Sequence, residues 1–261
     1  MSRALLKVDL PALQALVESA HWNQTAADWE RLIALCGKKA VGIEAEGRIV
    51  SSATLLPHGP NAAWLGMVLT LPEFQRRGYA RQLLTQLIES APQGQTVYLD
   101  ATSQGQPLYA QLGFVAQGVV HRWMGTAYRT EAGPSGGAWN GALDREAFGA
   151  DRSPLLRELE RDSLIWQLDD GSFAMRRPGR NRTYLGPVVA RNRASAEALV
   201  LRALHAAGEV YWDIFEDNRD ALELAAGLGF SPHRRLVRMR RGDALEAKTA
   251  LQFGLAGFEY G

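Results

Sequence analysis

The chain has 261 residues, a length that suits one large domain or two domains of ordinary size. Hydrophobic residues make up 46% of the sequence, which is enough for a packed core and excludes a disordered chain. The formal net charge of +1 argues against bulk binding of nucleic acid. The single cysteine, Cys36, excludes an internal disulfide bond.

No segment combines transmembrane length with an absence of charges, and residues 1–9 lack the long apolar run of a signal peptide. The sequence also has no cluster of His and Cys at the spacing of metal ligands. We therefore expect a cytoplasmic protein that binds no metal, no membrane and no nucleic acid.

Two helices and a hairpin are predicted first along the chain. A helix is expected over residues 9–20, where a proline stands in the first turn. Thr25, with Asp28 three residues later, predicts a capping box at the start of a second helix. Alternating apolar residues predict strands at 41–45 and 49–55, joined by a Glu-Gly turn.

A nearly continuous apolar run predicts a central strand at residues 64–69. Helical periodicity follows over residues 80–91, with Ala80, Leu83, Leu84, Leu87, Ile88 and Ala91 on one face. A strand at 96–101, a short helix that contains Tyr109 and a strand at 119–124 complete this half.

The turn between the central strand and its helix is rich in small and basic residues. It consists of Gln75, Arg76, Arg77, Gly78, Tyr79 and Ala80, and Arg81 follows it. Backbone N–H groups in such a turn, together with the positive end of the helix, favour a bound phosphate. Gly78 lets the backbone approach that ligand closely.

The spacing Q-x-x-G-x-A in this turn resembles the acetyl-CoA pyrophosphate motif of the GNAT superfamily of N-acetyltransferases. About thirty residues later, residues 107–114 resemble the L-Y-x-x-L-G-F segment of the same superfamily. The resemblance is strong over about 40–125 and weaker over about 165–240. It implies an α/β (α+β) fold of two tandem GNAT-like domains, each a mixed, mostly antiparallel twisted sheet flanked by helices.

The resemblance also implies a cofactor, acetyl-CoA (coenzyme A), and residues that bind it. Its pantetheine arm would lie in a gap between two splayed parallel strands, beside the backbone of Met67, Val68 and Leu69. Its pyrophosphate would lie on residues 75–81. Many members carry Asn where this sequence has Thr102, which puts the fine placement of the arm in doubt.

Tyr109 matches the tyrosine that protonates the CoA sulfur in many relatives, and a phenol stays protonated at neutral pH. Asp100 is a candidate general base, although a structural carboxylate is an equal alternative and many relatives use water alone. Trp22, Asn23 and Trp29 are candidates for the lining of the acceptor site. Packing between helices is the favoured alternative for the two tryptophans.

The second half of the sequence repeats the first. Residues 65–69 are echoed by 185–189 at an offset of 120, and three later segments are echoed at 116: residues 83–88 by 199–204, 98–102 by 214–218 and 108–114 by 224–230. The four missing residues fall in the phosphate turn, and Pro187 and Ala225 stand in place of Met67 and Tyr109. The second copy is therefore predicted to keep the fold and to lack acetyl-CoA binding.

These patterns predict three regions: an acetyl-CoA-binding catalytic domain at 1–130, a Gly/Pro/Ser-rich linker at 131–142 and a degenerate GNAT-like domain at 143–261. The predicted reaction is acetyl transfer to a primary amine of a small molecule or peptide, by direct attack in a ternary complex. Alternatives are another acyl-CoA, an aminoglycoside-like acceptor, or a CoA-binding sensor without turnover.

The sequence leaves a monomer and a homodimer open. Residues 119–124 and 253–260 are apolar enough to pair as strands across two chains.

Overall fold

The computed structural model describes residues 2–127 and 136–261. The first half contains β1 (Ser2–Ala4), α1 (Leu10–Ser19), α2 (Ala26–Cys36), β2 (Ala40–Ala45), β3 (Arg48–His58), β4 (Ala62–Thr70), α3 (Tyr79–Glu89), β5 (Thr96–Ala101), α4 (Gln106–Gln111) and β6 (Val115–Thr126). Every helix and strand predicted for this half is present. The predicted capping box is also formed, because Thr25 Oγ1 accepts from the N–H of Asp28 and the Asp28 carboxylate accepts from that of Thr25.

The second half contains α5 (Gly141–Phe148), α6 (Ser153–Glu160), β7 (Leu164–Gln167), β8 (Phe173–Arg177), β9 (Thr183–Val189), α7 (Arg193–Leu204), β10 (Glu209–Phe215), α8 (Arg219–Gly227), β11 (Ser231–Arg241) and β12 (Gln252–Gly254). This order repeats the first half from α1 to β6. Of the predicted linker 131–142, residues 131–135 lie outside the described residues, and α5 begins at Gly141.

The twelve strands found in the described residues belong to one twisted sheet, in the order β1-β2-β3-β4-β5-β11-β6-β10-β9-β8-β7, with β12 added beside β9. The pairs β4–β5 and β9–β10 are parallel, and the other pairs between these strands are antiparallel. Each half thus places its last long strand against the other half: β11 lies beside β5, and β6 lies beside β10. The halves share strands, and the boundaries at 131–142 stay a prediction.

The strand pairing corrects part of the predicted repeat. Trp64 pairs with Tyr98 in the first half, and Tyr184 pairs with Tyr211 in the second. The offset is therefore 120 residues between β4 and β9, as predicted, but 113 between β5 and β10 instead of 116. Helix α8 has nine residues where α4 has six, and these three extra residues restore the offset of 116 at the ends of the two helices, Gln111 and Gly227.

Helices cover the sheet at the first half. Helices α1, α2 and α3 all pack against β3, whose residues 49–56 are all buried, so this strand is covered on both faces. The apolar face predicted for α3 is buried at Leu83, Leu84, Leu87 and Ile88. In the ranges 2–127 and 136–261, no helix is long and apolar enough to cross a membrane.

Candidate functional site

The predicted phosphate turn is an exposed loop at the start of α3, and two of its residues have a left-handed backbone conformation. Eight residues, 71–78, join β4 to α3. Arg76 and Gly78 both have a left-handed backbone, with φ of 61° and 81°, and Gly78 is the N-cap of the helix. A Cβ built on Gly78 meets no atom within 4 Å. Residues 75–78 are also exposed, so the first N–H groups of the helix, which lack intrahelical partners, are accessible to an anion.

Basic side chains are fixed around this turn. Arg77 donates to the carbonyl of Glu73 at 2.9 Å, and its guanidinium lies 4.7 Å from the centre of the Phe74 ring. Arg81 donates to the side chain of Gln111 on α4. These contacts hold two positive charges near the helix start, where they add to its attraction for a phosphate.

A gap opens between β4 and β5 beyond Trp64. The two strands pair only from Ala62 to Trp64. Beyond that point, the edge of β4 that faces β5, residues 65–70, is not paired with another strand. A bulge places Met67 and Val68 opposite the single residue Ala53 of β3, and Met67 has φ of 49°. Such an edge offers backbone donors and acceptors to the amides of an extended ligand.

Tyr109 is a buried phenol on α4. It is 9% exposed, and its ring contacts Phe114 edge to face. Burial raises the pKa of Tyr109 above its usual value of 10. The hydroxyl is therefore protonated at neutral pH and able to donate.

Asp100 does not have the surroundings of a general base. Its carboxylate accepts two hydrogen bonds from Arg238 on β11, at 2.9 and 2.8 Å, and its side chain is 0% exposed. The Arg238 guanidinium lies between the rings of Trp64 and Phe215, 4.5 Å from each centre. This geometry supports the alternative of a structural carboxylate. Arg238 was not among the predicted site residues, although the offset of 116 relates it to Arg122, the partner of Asp213 in the second half.

The acceptor candidates on the early helices are occupied by packing. Trp29 is 0% exposed within the core, and Trp22 packs against that core. Asn23 binds the backbone of the second half: its amide donates to the carbonyl of Arg182 at 2.9 Å, and its oxygen accepts from the N–H of Asn181 at 2.9 Å. The expectation of an aromatic acceptor lining here is not supported by these contacts, because they join helices and halves.

The second half lacks an open turn at the corresponding helix. Only residues 190–192 join β9 to α7, and Asn192 caps the helix by accepting from the N–H of Ser195 at 2.9 Å. The Ser195 hydroxyl donates to the Asp170 carboxylate at 2.6 Å. A carboxylate of the chain itself therefore lies at this helix start.

The gap between β9 and β10 is filled by residues 251–255, which include β12. On one side β12 pairs with β9, and the N–H of Ala190 donates to the carbonyl of Leu251 at 3.0 Å. On the other side the N–H of Leu255 donates to the carbonyl of Asp213 at 2.9 Å, and Trp212 Nε1 donates to that of Phe253 at 2.8 Å. The segment bridges the two splayed strands as an added strand.

Asn218 anchors this inserted segment. Its amide donates to the carbonyls of Thr249 and Gln252 at 3.1 and 3.0 Å, while its oxygen caps α8 at the N–H of Ala221. The superfamily's typical Asn is thus present in this half and binds the chain's own backbone. Within the described residues, 252–254 pair with β9, and β6 pairs with β10 and β11, so both segments form their strand pairs inside one chain.

The same segment continues into the first half. The carbonyl of Phe258 accepts from Trp64 Nε1 at 2.8 Å, and that of Tyr260 accepts from His58 Nε2 at 2.8 Å. A Cβ on Gly66 of β4 would lie 2.9 Å from the carbonyl oxygen of Glu259. Residues 258–260 therefore cover one face of β4 where the first gap begins.

Comparisons with known proteins agree with this architecture. Residues 10–114 match the acetyltransferase (GNAT) family, and residues 141–254 match an acetyltransferase (GNAT) domain. The uncharacterized N-acetyltransferase YitH of Bacillus subtilis is 24% identical over 208 residues, 73% of each chain.

Two solved structures are similar along nearly their whole length. A candidate acetyltransferase of Pyrococcus horikoshii superposes with a TM-score of 0.88 at 22% identity, covering 100% of this chain and 95% of its own. A tandem GNAT protein from the clavulanic acid biosynthesis pathway superposes with a TM-score of 0.63 at 16% identity, covering 94% and 99%. At these identities the structures show the fold alone. Between them, the two family matches span most of the sequence, and this family uses acetyl-CoA: the chain belongs to the GNAT superfamily of acetyltransferases and carries two tandem copies of its fold.

Proposed function

We propose that the first half transfers an acetyl group from acetyl-CoA to a primary amine of a small molecule or peptide, by direct attack in a ternary complex. One contrast carries the proposal. The first half joins an open phosphate turn to an unpaired strand edge, whereas the second half has its own chain in both places. The catalytic half, residues 1–130, then works together with β11 and residues 243–261 of the other half.

Different residues of the first half bind different parts of coenzyme A. The N–H groups of residues 75–80 bind the diphosphate, with Arg76, Arg77 and Arg81 around it. The backbone of residues 67–69 orients the pantetheine arm as an added strand. When bound, acetyl-CoA supplies the thioester whose acetyl group is transferred.

The chemistry requires a polarised carbonyl and a proton for the leaving sulfur. A strand N–H of Val68 or Leu69 polarises the carbonyl oxygen. The neutral amine forms the new C–N bond while the C–S bond breaks, and Tyr109 gives its proton to the sulfur. The proton lost by the amine leaves through water and restores the phenol. Asp100 is not assigned as the base, because Arg238 occupies both of its oxygens.

The test is Tyr109→Phe, with release of the CoA thiol measured against a panel of amines. We expect kcat to fall about 10- to 100-fold, because the acid is lost while the ring still fills its place. Affinity for acetyl-CoA, measured by calorimetry, stays the same. Tyr211→Phe is the control, since it removes a buried phenol from the second half. Undiminished turnover in Tyr109→Phe would remove this residue as the acid, and tight CoA binding with no thiol release from any amine would favour the sensor.

A further inference from the structure

A cavity of about 90 Å³ lies at the closed end of the first gap. Trp64 and Tyr98, the last residues that join β4 to β5, both line it, and their rings stack 6.1 Å apart. Phe148 of α5 and Phe215 of β10 complete four aromatic walls. The cavity is therefore built from both halves, at the point where the strands begin to separate.

The position of the cavity relates it to the cofactor path. The phosphate turn follows the C-terminal end of β4, so an arm laid along residues 65–70 runs from the turn back towards Trp64. The end of the arm that carries the acyl group consequently arrives beside the cavity. A molecule that binds in the cavity is adjacent to that group.

The charges of the cavity suit a single amine. At its inner end Arg238 is neutralised by its two hydrogen bonds with Asp100. Among the residues that line the cavity, Asp217 is the one carboxylate, and it lies at the exposed mouth with Gln117 and Ala247. Inside the cavity a second ammonium group would find no second carboxylate, so the part of the acceptor that enters the cavity is expected to be uncharged.

The volume limits the body of the acceptor. A cavity of about 150 Å³ holds benzene when it is lined by apolar side chains. The present cavity is smaller, at about 90 Å³, but open at its mouth. A compact alkyl or aryl group can enter it, while a larger molecule would extend into solvent past Ala247.

We propose that this cavity is the acceptor subsite and that it takes a monoamine with a compact apolar or aromatic body. The inference rests on the proposed function, because it assumes that the first gap binds the acyl donor.

Gly118→Phe tests this directly. Gly118 lies on β6 opposite Arg238, so a side chain there points to the cavity face, and its Cβ meets no atom within 4 Å. The new ring fills the cavity without touching the phosphate turn. The matched control is Gly227→Phe on the exposed surface of α8, where a Cβ also meets no atom within 4 Å.

Benzylamine, 3-methylbutylamine and spermidine are titrated calorimetrically into wild type and both variants, each saturated with CoA. We expect the two apolar amines to bind wild type and Gly227→Phe alike, and to bind Gly118→Phe at least about tenfold more weakly. Spermidine should bind wild type most weakly of the three. CoA itself should bind all three proteins equally.

Three results would overturn the assignment: equal binding of benzylamine to wild type and Gly118→Phe, tighter binding of spermidine than of benzylamine, or no binding of either apolar amine to CoA-saturated wild type. Failure of the proposed function is a separate result, because wild type would then either not bind CoA or bind it and release no thiol from acetyl-CoA with any amine of the panel.

Discussion

The two halves contain the same gap between corresponding parallel strands and fill it differently. In the first half, β4 beyond Trp64 has an edge without strand pairing, next to an open turn with two left-handed residues. In the second half, residues 251–255 lie between β9 and β10, and Asp170 lies at the helix start. The comparison teaches that the chain itself can bridge two splayed strands, as it does in the second half, whereas in the first half the same place is left open.

The physical reason is the backbone itself. Splayed strands expose N–H and C=O groups that must find partners when they are buried. Coenzyme A can serve as that partner in the first half. In the second half the inserted segment serves permanently, and it also carries residues 258–260 onto β4. If the first half binds the cofactor as proposed, the second half is thus a structural part of that candidate site.

The largest effect is expected from a change in the phosphate turn of the first half. Gly78→Glu places a carboxylate, in a left-handed position that disfavours it, against the bound diphosphate. We expect affinity for CoA to fall by about 100-fold or more, measured by isothermal titration calorimetry.

The matching change in the second half is Asn192→Asp, which puts a negative charge at the start of α7 and keeps the helix cap. Affinity for CoA should stay within about twofold of wild type. A comparable loss of CoA affinity in both variants would mean that the second half also binds the cofactor.

A smaller effect is expected when the inserted segment loses its anchor. Asn218→Ala leaves two buried carbonyls without their donor and removes the cap of α8. The free energy of unfolding in urea should fall by about 2 kcal/mol. Thr102→Ala, at the corresponding position of the open half, should cost less than about 1 kcal/mol, since Thr102 bonds only a nearby N–H. Equal losses would argue that the segment is not held by Asn218.

The third effect is a change of stability with pH. It involves the contact between His58 of the first half and Tyr260 at the end of the chain. Burial lowers the pKa of His58 to about 3, so the neutral ring donates to the carbonyl of Tyr260. The unfolded chain binds this proton near pH 6.5, so stability is present above that pH and is lost as pH falls towards 3. His58 should account for about 2 kcal/mol of the loss between pH 8 and pH 5.

His58→Gln keeps a donor for the same carbonyl and removes the titration. Urea unfolding of both proteins at pH 8 and pH 5 measures the difference. If the variant loses as much stability as wild type over this range, another group controls the acid sensitivity.

The local elements were predictable because their signals are local. The capping box at Thr25 and the apolar face of α3 depend on residues a few positions apart, and both are present. The exchange of β6 and β11 was not predictable. Each of these strands carries a similar pattern, so nothing in one strand alone specifies which half it joins.

For the candidate site, the sequence predicted the parts that depend on local backbone motifs. The turn at 75–80 and the position of β4 follow from the sequence. The pairing of Asp100 with Arg238 does not follow from the sequence, since it depends on the strand exchange. The matching pair, Asp213 with Arg122, could not be recognised at an offset of 116, because β10 is shifted by three residues. Residues 253–260 were marked as a possible strand, but their place between β9 and β10 was not predictable, because β12 has only three residues.

The most direct test of the open and filled gaps is a crystal structure of the protein with bound CoA. We expect one coenzyme per chain between β4 and β5, with its diphosphate on residues 75–80 and residues 251–255 in place. Density for the coenzyme between β9 and β10, with that segment displaced, would contradict it.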